Sequence, residues 1–171
     1  MTSSDIATHE TGDHESTMPF RPGLLALFSL LSIVTLAAGG LLTSLGLGPW
    51  YDELKTPPFQ PPAWAFTPAW TAIFTMLAIA TWRIARLGKP SKYALVVYAV
   101  QLVLNMAWSL FFFAMERPDL ALIEIFVLDV VVLAMVAMYG SLDRTAGWLL
   151  VPYAVWLVLA TSINFWVVLH N

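Results

Sequence analysis

Gln101, Asn105 and Trp108 stand at i, i+4 and i+7, which puts two amides and an indole on one helical face. Tyr153, Trp156, Ala160 and Asn164 fall within about 80° of one another on a second helix. Trp70 and Phe74, at i and i+4, give a third, aromatic face. An amide in hydrocarbon is costly without a partner, so these faces must point inward. Interhelical hydrogen bonds alone would satisfy them. An amide beside indoles also suits a pocket for a flat ligand with a few polar groups, and we favour that reading. Glu124 and Asp129 are the remaining candidates for chemistry. Five residues apart on a helix, they are separated by about 140° and cannot form a side-by-side carboxylate dyad. Carboxylates inside a membrane are functional candidates by default; the alternative is a carboxyl group hydrogen-bonded to a neighbouring helix or a dimer partner. For Asp129 the two readings weigh equally. Glu124 lies nearer the end of its span, where partial solvation is expected.

Much other chemistry is excluded. There is no cysteine, hence no thiolate nucleophile, disulfide or cysteine-ligated metal. A P-loop, a glycine-rich dinucleotide turn and an HExxH sequence are all absent. His9 and His14 are spaced too loosely in a polar segment to read as a metal site, and His170 lies at the end of the last apolar run. No histidine falls inside a span, so haem ligation by histidine within the bundle is ruled out. No basic patch suggests nucleic acid, and the net charge of −3 owes much to acidic residues near the N-terminus.

The elements that must carry these faces are apolar. The chain is 59% hydrophobic and 11% charged over 171 residues, too greasy for an ordinary soluble domain. Five apolar runs, at about 24–47, 66–87, 93–114, 119–139 and 146–169, are each long enough to cross a bilayer as a helix. The expectation is an all-α, five-span membrane bundle over residues 23–171, its short connections making successive spans antiparallel. Residues 1–22 read as a disordered polar tail without a signal peptide's basic start. Between the first two spans, the stretch Pro49–Trp70 holds six of the eleven prolines and three of the eight tryptophans. Pro57-Pro58 and Pro61-Pro62 favour a stiff, extended path, so residues 48–65 read as a shaped lid over the mouth of the bundle. Ser29, Ser32, Thr35, Gly39 and Thr43 form a small-residue stripe on the first span, read mainly as packing and secondarily as ligand-lining. Trp82, Trp148 and Trp166 sit where interfacial belt residues would.

Arg21, Arg83, Arg86, Lys89, Lys92 and Arg144 fall on the N-terminal side of the spans, against Lys55 and Arg117 on the other. The excess of basic residues places the N-terminus in the cytoplasm of a bacterial cell membrane, with the lid facing outward. For an outer membrane, bacterial or mitochondrial, that rule gives no orientation.

Three motifs, WYDELKTPPFQPPAWAFTPAWTAIF, QLVLNMAWSLFFF and GWLLVPYAVWLVLATSINF, resemble in order and spacing the TspO/MBR family of tryptophan-rich sensory proteins and mitochondrial translocator proteins, also known as peripheral benzodiazepine receptors. The likeness covers about 24–171. It implies a homodimeric five-helix bundle with a pocket closed by the first loop. Its ligands would be tetrapyrroles such as protoporphyrin IX and haem, taken up as ligands without an obligatory cofactor. Carried over by position, the ligand-binding set is Trp50 and Phe59 from the loop, Trp64, Trp70 and Phe74 from the second span, Asn105 and Trp108 from the third, and Trp156 and Asn164 from the fifth. Phe74 replaces a tyrosine of many members. The sterol pattern of the mammalian proteins needs a tyrosine followed by a basic residue, whereas INFWVVLHN has Phe165 and neither Lys nor Arg, so it gives no support for cholesterol recognition.

Three functions compete. A binding protein for sensing or transport ranks first. An enzyme degrading porphyrin with light and oxygen, with Trp70 and Trp156 as redox residues, ranks below it because no acid–base group accompanies them. A proton-linked transporter would rest on Glu124 and Asp129, but no internal repeat supports an alternating-access carrier.

Overall fold

A computed structural model describes residues 20–171; the tail expected over residues 1–22 and the pair His9 and His14 lie almost wholly outside them. Six α-helices follow: α1 (Pro22–Gly46), α2 (Pro49–Glu53), α3 (Ala63–Ala85), α4 (Lys92–Ala114), α5 (Pro118–Leu142) and α6 (Arg144–His170). Five of them are long and apolar enough to span a membrane, and α2 is a single turn in the loop between the first two spans.

Proline chooses several of the starts. Pro22, Pro49 and Pro118 occupy the first turns of α1, α2 and α5, where a fixed φ suits the helix and the missing N–H would be unpaired anyway. The lid is therefore not extended throughout. Pro49 starts a helical turn, and α3 begins at Ala63, three residues earlier than the apolar pattern suggests, because Pro62 can precede a helix but not continue one from before. The last turn of α4, Leu110–Ala114, is a π-turn, and Glu116 reverses the chain with φ 52°. Asp143 caps α6, accepting from the Ala146 amide at 3.1 Å, and also takes a two-pronged contact from Arg83 at 2.9 and 3.1 Å. One short side chain thus ties the end of α3 to the start of α6.

The spans close into a ring in the order α1, α3, α6, α5, α4. At the end holding Arg21, Arg83 and Arg144, its centre is solid. Leu77, Ile84, Met135, Tyr139 and Leu150 are buried there, and the Thr81 and Tyr139 hydroxyls bond at 3.1 Å. Phe20 and Arg21 already belong to this packed end. Phe20 meets Trp82 edge-on at 5.4 Å, and the Trp82 indole N–H donates to the Arg21 carbonyl at 3.0 Å. Arg86 lies 4.2 Å over the same indole. Trp82 is thus a joint between α1 and α3 as well as an interfacial residue.

Two crossings need the absence of a side chain. A Cβ on Gly147 would stand 2.6 Å from Gly140 Cα, so α5 and α6 touch backbone to backbone. A Cβ on Gly46 would collide with the Phe113 carbonyl, which pins the end of α1 to the π-turn of α4.

Candidate functional site

Toward the lid the ring is hollow. A cavity of about 490 Å³ opens there, within the range of small-molecule sites. Trp70, Phe74, Asn105, Trp108 and Trp156 all line it. The three helical faces read from the sequence therefore converge on one space. Trp70 is the hub: its ring lies 5.9 Å from Phe74, 6.1 Å from Tyr153 and 6.2 Å from Trp156, the last two edge to face. Trp108 stacks on Phe112 at 5.1 Å and meets Phe113 edge-on at 5.8 Å. The π-turn begins two residues after Trp108 and carries both of these phenylalanines.

The polar groups are fixed from behind. Gln101 and Asn105 both donate to the Tyr153 hydroxyl, at 2.8 and 3.1 Å, so the fully buried tyrosine braces the amide that lines the cavity. Gln101 itself is buried and sits behind the wall. Among the described residues, none that lines the cavity is charged. The cavity can thus stack, shape-select and hydrogen-bond, but its wall has no acid–base pair.

Four residues of the expected ligand-binding set do not line this cavity. Trp64 is 76% exposed in the first turn of α3, pointing away from the bundle. Phe59 is half exposed and packs edge-on against Trp166 at 6.1 Å. Trp50 turns away from the cavity toward Phe112, because the single turn of α2 rotates the chain and presents Tyr51 to the cavity instead. Asn164 is wholly buried as a bracket: it accepts from the Trp108 indole at 3.1 Å and donates to the Pro118 carbonyl at 2.9 Å. It orients a lining indole without lining the space.

In return, the cavity takes residues that were not in the expected ligand-binding set. Thr35, Gly39 and Thr43 line it, so the stripe on α1 is both packing and wall. Tyr51 and Gln60 come from the lid and bond to each other at 3.3 Å. Gly40, Leu47, Ala63 and Thr67 are exposed as well as lining, which locates the mouth between the end of α1 and the start of α3. The signal for Tyr51 was Pro49 as a helix starter, hidden by the reading of the whole stretch as extended.

The two carboxylates stand apart from the cavity. Asp129 accepts from the Thr161 hydroxyl at 2.8 Å, an α5–α6 link. Glu124 is 7% exposed, not partly solvated as its position suggested, on a helix packed between α4 and α6. Neither of its oxygens has a hydrogen-bond partner among the described residues. Neither residue lines the cavity, although Ile125 and Leu128 beside them do, so a proton-linked function has no direct contact with that space.

A ring of five apolar, membrane-length helices around an indole-lined internal cavity with a proline-stiffened lid defines a polytopic membrane protein. Residues 27–169 match the TspO/MBR family, and the chain belongs to that family. It is 40% identical to the "Tryptophan-rich sensory protein" of Cereibacter sphaeroides over 116 residues, 68% of this chain and 73% of the relative. It is 31% identical to the "Tryptophan-rich protein TspO" of Chlorobaculum tepidum, over 86% of this chain and 95% of the other. It is 32% identical to the "Translocator protein" of Bos taurus, over 68% and 71%.

Proposed function

We propose that this protein is a membrane receptor or sensor that takes a flat tetrapyrrole, such as protoporphyrin IX or haem, into the cavity between its helices. One observation carries the reading: Trp70, Trp108 and Trp156 all border a single hollow of about 490 Å³ beside the Asn105 amide. Indole faces and edges suit an extended aromatic macrocycle, and Asn105 suits its polar centre. Because the wall is uncharged, the carboxylates of such a ligand would reach toward the mouth and the lid, where Lys55 is exposed. Sensory and translocator names among the relatives agree with a receptor role. The basic-residue bias supports an orientation with the lid on the outer side of a bacterial cell membrane.

A titration of tryptophan fluorescence with protoporphyrin IX in detergent or nanodiscs tests the proposal. Saturable quenching is expected, with affinity reduced about tenfold or more by Trp156→Ala and by Asn105→Ala. Quenching that never saturates, or that ignores both substitutions, contradicts it.

A second reading, oxidative breakdown of the bound porphyrin under light and oxygen, is favoured by the direct contact of Trp70 with Trp156 on the cavity wall. Product formation that Trp70→Phe abolishes while binding persists would raise it above simple binding. Product formation unaffected by Trp70→Phe would remove it.

A further inference from the structure

Asn171 follows the last turn of α6, yet its side chain reaches the lid. The Lys55 amide donates to Asn171 Oδ1 at 2.8 Å, and Asn171 Nδ2 donates to the Lys55 carbonyl at 3.2 Å. The same Nδ2 donates to the Val167 carbonyl at 2.9 Å, so the amide is anchored to α6 while it holds the loop. A primary amide offers an acceptor and a donor side by side, and here it pairs with both backbone groups of one residue as a neighbouring strand would. The contact reads backbone alone.

A second contact supports the same joint. Phe59 packs edge-on against Trp166 at 6.1 Å, and Trp166 is stacked on His170 at 3.9 Å. The lid therefore meets the end of α6 at two places, four residues apart. Between them lie Pro57, which is buried, and Pro58, whose rings remove most of the backbone freedom. The Gln60 amide closes the turn onto the Pro57 carbonyl at 3.0 Å. Tyr51 and Gln60, two polar lid residues on the cavity wall, flank this clamped segment and bond to each other. A restraint at Lys55 is thereby passed to the roof of the cavity.

We propose that Asn171, with the Phe59–Trp166 contact beside it, is a latch that holds the lid over the cavity and sets how fast ligand exchanges. Asn171 is a positioning residue: it touches the lid and does not line the cavity. The inference rests on the cavity being the ligand site. It explains what Phe59, an exposed aromatic that does not line the cavity, does in the loop.

Two readouts on the full chain in nanodiscs test the latch. The first is amide hydrogen exchange at Lys55 without ligand; the second is the rate of protoporphyrin IX release by stopped-flow fluorescence. Two exposed neutral hydrogen bonds contribute modestly, so Asn171→Ala is expected to speed Lys55 exchange and porphyrin release each by about three- to tenfold. Entry should speed up by a similar factor, leaving the equilibrium affinity less changed than either rate. Asn171→Asp, which keeps the acceptor and loses the donor, should fall between. Ser162→Ala, on an exposed α6 hydroxyl that bonds only within its own helix, should match the parent chain. Unaltered Lys55 exchange in Asn171→Ala overturns the latch, as does a release rate unchanged while exchange rises. If the parent chain gives no saturable porphyrin signal, the proposed ligand falls, and with it the role in exchange. The Lys55 readout still separates that failure from a failure of the contact.

Discussion

Glu124 buries a carboxyl group with no donor among the described residues, which is costly wherever that group is charged. Glu124→Gln keeps the shape and removes the charge. We expect the melting temperature of the purified protein to stay level or rise, and a fall of several degrees would mean the carboxylate has a partner of its own. Thr161→Val should act the other way. It strands Asp129 without its 2.8 Å donor, at a cost of about 1–3 kcal/mol readable by chemical or thermal unfolding. Asn164→Ala should lower stability by about 0.6–1.7 kcal/mol, from the average to the upper end for interhelical hydrogen bonds in bilayers, and disturb ligand only through the freed Trp108 indole. The residue spacing made Asn105, Trp108, Trp70 and Trp156 legible as inward groups, because helical periodicity is strict. It could not separate Asn164 from them. A bracket and a lining residue share one face of a helix, and only the partners tell them apart.

The α5–α6 crossing is set by two glycines in contact, and the junction of α1 with α4 by Gly46 against the π-turn. Gly147→Ala is expected to destabilise the bundle by about 2 kcal/mol or more despite alanine's better helix propensity, since a backbone neighbour cannot move aside as a side chain can. A thermal unfolding scan that shows equal or higher stability would refute the close crossing. The spans themselves were legible from apolar length alone, to within three residues or so at each end. The lid was legible only in part. Its double prolines do hold the chain out of helix, but Pro49 does the opposite at a helix start. That one turn decides that Tyr51, and not Trp50, faces the cavity. The π-turn at Leu110–Ala114 leaves no mark in the sequence, because Leu-Phe-Phe-Phe-Ala suits an α-helix as well.

The whole molecule is a ring packed solid at its basic end and hollow at its lid end. That division places the solid core and the proposed binding site in separate halves. Leu77, Met135 and Tyr139 fill one end, while the indoles at the other have space between them. The most direct test is whether one flat pigment occupies that hollow in a fixed orientation. A porphyrin held in a chiral cavity acquires circular dichroism in its Soret band, so the signal should grow with protoporphyrin IX and saturate at one equivalent per chain. It should be lost in Leu128→Trp, which fills the cavity from α5. A signal that fails to saturate, or one undiminished in Leu128→Trp with the fold intact, would contradict a site inside the ring.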